Sequence, residues 1–275
     1  MKTNPRFAAS TFAAWCGLTV LLVASAGNAF AQKIETIALY DFSDATNLFK
    51  DSSGGTDLSL SKPASGVSQS TDHSSAAPTE YSASFSGTQA ASYKTIDFSS
   101  YTALTFDWYM KAATPTADSV LFQSNANTNS VGFFRVALLA SEQEGTATLK
   151  VSHKLAGTNW STTEWTLSSL SSWQNYTLTI DNSIVGAAGH VRLLINGIEQ
   201  ATTASTWAGS VAGTFCPSTN FYMGTANSSA SPFTGYLQNV EIYSGTPVPV
   251  PEPASIALLL GLAGVAIAFA VRCRR

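Results

Sequence analysis

The chain has 275 residues, 45% of them apolar, 11% aromatic and only 11% charged, with a formal net charge of −3. Five of the 14 basic residues (Lys2, Arg6, Arg272, Arg274, Arg275) lie in the terminal segments, while all 17 acidic ones fall between Glu35 and Glu252. The chain between those segments therefore carries nine bases against 17 acids, a balance of −8, which argues against nucleic acid or anionic lipid as its partner.

Residues 1–31 have the pattern of a secretory signal peptide. Lys2 and Arg6 make a positive start, and Phe7 to Ala26 is an apolar stretch of mostly small residues. Ala29-Phe30-Ala31 supplies the small-x-small site at which a signal peptidase cuts, so the mature chain is expected to begin at Gln32. Cys16 follows Ala14-Trp15, a poor context for lipidation, and the apolar run continues past it. Of the three cysteines only Cys216 lies in the body, so no disulfide can form within it. A lone thiol of this kind is expected in the core.

The body reads as strand after strand. Thr36–Phe42 is the first, followed by turn chemistry at Asp51-Ser52-Ser53-Gly54-Gly55 and a short strand around Leu58 and Leu60. Lys62 to Thr79 shows no periodicity and is expected as a long loop. Short strands follow at Ser82–Ser86 and Tyr93–Asp97. Thr102–Met110 is the clearest period-two segment, with Leu104, Phe106, Trp108 and Met110 on one face and Thr105, Asp107 and Tyr109 on the other. Val120–Gln123, Gly132–Leu139 and Thr146–His153 come next, with Trp165–Leu167 as an edge. Trp173 leads into the alternation of Tyr176, Leu178 and Ile180 with Thr177, Thr179 and Asp181. Val191, Leu193 and Ile195 alternate again before Asn196-Gly197, which closes a tight hairpin. Phe221–Gly224 and Gly235–Tyr243 finish the series, and the apolar spacing of Leu237, Val240 and Ile242 calls for a β-bulge near Gln238-Asn239. About a dozen short strands with no helical stretch between Gln32 and Thr246 imply two packed antiparallel sheets, an all-β sandwich.

The last segment is of another kind. Residues 246–253 form a proline-rich linker, 254–271 an eighteen-residue run without a charge, and 272–275 a tail with three arginines. Eighteen helical residues span about 27 Å, close to the roughly 30 Å core of a bilayer. The arginines belong on the cytoplasmic side, which places the body outside. Pro251-Glu252-Pro253, the apolar span and the basic tail together resemble the PEP-CTERM sorting signal of Gram-negative bacteria. That resemblance implies an exosortase, a membrane-embedded transpeptidase, as processing partner. It also implies a precursor anchored in the inner membrane before release to the cell surface or extracellular matrix. The plainer alternative is a permanent one-span anchor.

Residues 32–245 resemble a laminin G-like domain of the concanavalin A-like jelly-roll superfamily. The resemblance rests on Tyr40-Asp41-Phe42 with Asp51-Ser52-Ser53-Gly54, Phe85-Ser86-Gly87 and Phe98, and on the strand from Leu104 to Met110. It continues through Trp173 to Thr179, Leu194-Ile195-Asn196-Gly197, Met223-Gly224 and Gly235 to Tyr243. It implies a β-sandwich that takes glycans or proteins, sometimes through Ca²⁺, without saying which, because one fold hosts many functions.

Catalytic chemistry is not evident. A glycoside hydrolase needs two carboxylates across the scissile bond, and the Glu-x-Asp-x-x-Glu spacing of glucanases on this fold does not occur. Glu142 and Glu144 precede Gly145 and read as a solvated turn. His73, His153 and His190 lie far apart and are expected at the surface or on edges, without metal-ligand spacing. Asp118 with Asn125, Asn127 and Asn129 is the one loop cluster rich in oxygen ligands, and turn chemistry accounts for it. No cofactor is expected, with Ca²⁺ the one ion left open. For stacking on sugar rings the candidates are Trp160, Trp165 and Trp207, each in a Ser/Thr/Asn-rich stretch, whereas Trp108 and Trp173 are assigned to the core. The reading is an exported, non-catalytic jelly roll that takes extracellular polysaccharide or a surface protein. The alternatives are a purely structural matrix component and a hydrolase whose carboxylates come from separate strands.

Overall fold

In the computed structural model the described residues are 35–55, 57–60, 66–87, 92–124, 131–154, 160–185, 189–207, 213–216, 219–225 and 231–245. Residues Ile34–Pro247 make one compact unit. The signal-peptide residues Ala29 and Ala31 and the sorting residues Pro251, Glu252 and Pro253 lie outside the described residues. Among the described residues no helix is long and apolar enough to cross a membrane.

Among the described residues sixteen strands, all paired antiparallel, build two sheets. The first contains β1 (Thr36–Tyr40), β3 (Val67–Ser70), β4 (Ser82–Ser86), β6 (Ala103–Ala112), β11 (Gln174–Asp181), β12 (Val191–Ile195), β13 (Ile198–Glu199) and β16 (Thr234–Ser244). Its order is β13-β12-β11-β6-β16-β4-β3, with β1 also on β16. The second contains β2 (Ser59–Leu60), β5 (Ser92–Ile96), β7 (Ser119–Ser124), β8 (Phe133–Leu139), β9 (Ala147–Lys154), β10 (Ser161–Leu167), β14 (Ala204–Thr206) and β15 (Thr219–Met223). Its order is β14-β10-β9-β8-β7-β15-β5-β2. This is the all-β antiparallel sandwich expected from the alternation.

Inward-facing residues of both sheets meet in one apolar core. Trp108 stacks on Tyr176 at 5.4 Å and meets the edge of Phe122 at 5.2 Å. Phe106 packs between Phe122 and Phe134, each within 5.6 Å. Burying an aromatic of this size stabilises by roughly 2–3 kcal/mol, and the core is made mainly of such side chains.

The expected bulge is present. The β16–β6 register shifts between Gln238 and Glu241, and Asn239 takes a positive φ of 49°. The shift also marks a change of neighbour, because β4 pairs with Thr234–Leu237 and β1 with Val240–Tyr243.

Four sequence expectations need correction. The stretch from Lys62 to Thr79 is not all loop, since it contains β3. β10 is longer than its expected Trp165–Leu167 and is covered on its outer edge by β14, which alternation missed. The inward residues of β10 include Ser161 and Thr163, so its first half is polar on both faces and hides the period. Trp173 is not in the core. It shares parity with Asn175 and Thr177, which face outward, and its Nε1 donates to Asp72 at 2.9 Å. The histidines, finally, are not all at the surface: His153 is 3% exposed and His190 1%.

The outer face of the first sheet is covered by the segment 71–81. Asp72 accepts from both Lys111 Nζ (2.7 Å) and Trp173 Nε1, and these bonds hold its carboxyl below the usual range. Further along, Ser74 N donates to Gln238 Oε1, Tyr109 Oη donates to the Ala76 carbonyl and Gln238 Nε2 donates to the Thr79 carbonyl.

Candidate functional site

The register of the second sheet aligns a row of polar side chains on its outer face. Directly opposed residues in antiparallel strands share a face, and the pairs run Thr206–Thr162, Thr162–Ser152, Ser152–Arg135, Arg135–Gln123 and Gln123–Tyr222. Thr206 is exposed, and Thr162, Ser152 and Arg135 are half-buried, whereas Gln123 and Tyr222 are buried. From Arg135 to Thr206 the accessible part crosses four strands, about 14 Å at the usual strand spacing.

Arg135 ends the accessible part of this row. Its Nε donates to Gln123 Oε1 at 2.8 Å, and its guanidinium sits 5.8 Å from the Phe133 ring centre. Burial pushes its pKa down, the direction expected of a cation taken out of water. Trp160 stands against the same phenylalanine, edge to face at 5.1 Å, and stays half-buried. Lys150 and Glu164, one row away, form an ion pair at 2.7 Å.

The three candidate tryptophans separate. Trp160 borders the polar row and keeps part of its ring accessible. Trp165 is 1% exposed and sealed in the core, so its ring is not open to a ligand, and that expectation is corrected. Trp207 follows β14 and lies against two buried histidines, 4.4 Å from the His190 ring and 5.9 Å from His153.

The histidine pair went unforeseen. His153 continues the inward series of Leu149 and Val151 along β9, and His190 immediately precedes β12. Their rings stack at 4.5 Å with planes 18° apart. His190 Nδ1 donates to the Ile184 carbonyl at 3.0 Å, leaving its Nε2 as an unpartnered acceptor. Neither nitrogen of His153 has a partner among the described residues. Burial, with the neighbouring His190, drives the His153 pKa down to about 3, and burial also lowers that of His190. Ring lone pairs lie in the ring planes, and in a near-parallel stack they run side by side, so the pair does not converge on one metal ion. Among the described residues no three His, Cys, Asp or Glu side chains gather around a common point. Asp118 is exposed with its Oδ1 accepting from Ala140 N, and the asparagines 125, 127 and 129 lie outside the described residues.

Carboxylate pairs suited to hydrolysis are not found among the described clefts. The largest of three, about 560 Å³, has Asp118 as its one acid. A second, of about 460 Å³, has Glu199, held bidentately by Arg192 at 2.8 Å. The third has none. Glu142 and Glu144 are exposed on the turn between β8 and β9. Cys216 is buried, as expected of a lone thiol, and its Sγ donates to the Val131 carbonyl.

Two antiparallel sheets packed through an aromatic core, with one outer face strapped and the other bearing a polar row, are the architecture of a lectin-like jelly roll. The chain belongs to the concanavalin A-like lectin/glucanases superfamily, whose sequence pattern matches residues 85–249. A second pattern, the PEP-CTERM protein-sorting motif, matches residues 249–275 and includes Pro251, Glu252 and Pro253. No curated protein matches the chain. Among solved structures it is similar to domain 4 of AbnA, a GH43 extracellular arabinanase from Geobacillus stearothermophilus, in complex with arabinotriose. That likeness has 16% identity over 79% of this chain and 96% of the other, with a TM-score of 0.53. It is also similar to the receptor binding domain of botulinum neurotoxin D, at 12% identity and a TM-score of 0.53, over 81% of this chain but only 52% of that one. At such identities the likeness is one of fold alone.

Proposed function

We propose that the chain is an exported surface protein whose jelly roll binds glycan without catalysis. The observation that carries this reading is the polar row on the outer face of the second sheet, where Arg135, Ser152, Thr162 and Thr206 line up beside the half-buried Trp160. Sugars are held in this way, with hydroxyls bonded to planar and hydroxylic side chains and an apolar ring face laid on an aromatic. The similar arabinanase domain holds an arabino-oligosaccharide, which fits the same use of the fold. The carboxylates support non-catalysis. The strands of this sheet carry one acid, Glu164, and it is neutralised by Lys150, whereas glycoside hydrolysis takes two.

The termini supply the address. The signal peptide of residues 1–31 directs export, and the tail of residues 246–275 holds the precursor in the inner membrane until an exosortase reads Pro251-Glu252-Pro253. Surface or matrix polysaccharide is then the nearest ligand.

The test is a glycan array probed with the full chain in detergent, followed by a reducing-sugar assay on every bound glycan. Binding without sugar release is expected. An array with no bound glycan would overturn the binding reading, and released sugar would overturn non-catalysis.

A further inference from the structure

Charge is segregated between the two sheets. The strands of the second sheet carry Lys94, Arg135, Lys150 and Lys154 against Glu164 alone, while those of the first carry Lys111 and Arg192 against Asp107, Asp181, Glu199 and Glu241. The strands of the second sheet thus carry a net positive charge in a chain that is acidic on average, with Arg135 half-buried, Lys150 paired to Glu164 and Lys154 buried. Such a local field concentrates anions even where net charge repels them.

Arg135 is the half-buried guanidinium of this sheet. Lys50, Lys111, Lys150 and Arg192 each have a carboxylate within 4 Å. Arg135 has none among the described residues, and its bonded partner, Gln123, is neutral. A guanidinium stays charged at any physiological pH. Holding one half-buried against an amide and a phenyl ring costs desolvation that no anion offsets within the described fold. Gln123 fixes the Nε edge, leaving the two Nη groups to grip a planar anion end-on, and Phe133 fixes the plane of the fork from one side.

We infer that this face selects an acidic polysaccharide, with Arg135 receiving the anionic group of a sugar whose ring lies toward Trp160 and whose neighbours run along Ser152, Thr162 and Thr206. The inference rests on the glycan-binding reading above and narrows its ligand. A polyuronate is the fitting polymer, since each carboxylate is planar and matches the guanidinium fork, and a sulfated glycan offers related anionic chemistry. Nucleic acid fits less well, because its affinity is built from several phosphates neutralised at once, and the polar row itself holds one cation, Arg135.

Affinity electrophoresis of the full chain in detergent tests this with polygalacturonate, the same polymer after carboxyl reduction, dextran sulfate, neutral arabinan and double-stranded DNA. Retardation by polygalacturonate or dextran sulfate is expected, the stronger of the two identifying the anion. Carboxyl reduction should weaken polyuronate binding at least tenfold, and Arg135→Gln should weaken binding of the preferred polymer by a similar factor. Thermal unfolding of the variant should stay close to wild type, since the loss is one hydrogen bond to Gln123 and no ion pair. Arg135→Lys keeps the charge but loses the fork, so it should fold even if the glutamine variant does not, and should still bind several-fold worse. Equal binding by both variants would overturn the inference, as would preferential binding of DNA. Binding of neutral arabinan as strong as that of the acidic polymers would overturn the acidic ligand while leaving glycan binding intact. If no glycan binds, both readings fall.

Discussion

His153 and His190 show how much a single buried group can set a solution property. Each is neutral in the fold and chargeable once unfolded, with Asp181 the carboxylate acting on His190 and Trp207 closing the pair from β14. A histidine whose folded pKa lies below its unfolded value near 6.5 adds stability above that pH, and the contribution is lost as pH falls. For His153 the loss runs from about 6.5 down to about 3, at a slope approaching about 1.4 kcal/mol per pH unit. Urea midpoints between pH 7 and pH 4 should therefore fall steeply in wild type and less steeply in His153→Leu, which extends the apolar series of Leu149 and Val151. Identical pH slopes would contradict the account. The tryptophans make a second contrast at this scale. Trp165→Ala should cost about 3–5 kcal/mol, the usual penalty for an emptied aromatic site, whereas Trp160→Ala should stay within about 1 kcal/mol of wild type.

At the level of elements, the strap 71–81 is the feature most open to manipulation. Asp72 ties it to β6 through Lys111 and to the start of β11 through Trp173. Asp72→Ala should raise hydrogen exchange at the amides of residues 73–79 while leaving β6 and β11 protected, with a stability loss of about 1 kcal/mol, as for a partly exposed charged bond. Unchanged exchange would mean that Gln238 and Tyr109 hold the strap unaided. What the sequence could and could not reveal divides along the same lines. Strands such as Ala103–Ala112, with large apolar residues on alternate positions, declared themselves. β14 and the start of β10 did not, because Ser and Thr occupy their inward positions and propensity alone does not give a face. The parity of His153 with Leu149 and Val151 and of Trp173 with Asn175 was present in the sequence, and reading it strictly would have placed both side chains correctly. Trp160 was legible as a candidate from its hydroxyl-rich surroundings. Arg135 was not, since the row that frames it is assembled from six strands whose registers are set by tertiary pairing.

For the whole molecule, fold and address are separable. The apolar core and both sheets lie within Ile34–Pro247, so residues 32–245 produced alone should give a β-type circular dichroism spectrum and unfold cooperatively, without change on reduction because that segment contains one cysteine, Cys216. A helical spectrum would contradict this. In the native host, Pro251→Ala with Glu252→Ala should leave export intact and trap an uncut, membrane-bound precursor, since a sorting enzyme reads the triplet while an anchor needs only the apolar span. Equal release of wild type and variant in cell fractionation would favour the anchor. The central claim, that the outer face of the second sheet is the ligand surface, is tested most directly by hydrogen-exchange footprinting of the full chain with and without its preferred polysaccharide. The account predicts added protection confined to residues 133–136, 150–154 and 160–164, and protection on the strap 71–81 or nowhere on these strands would contradict it.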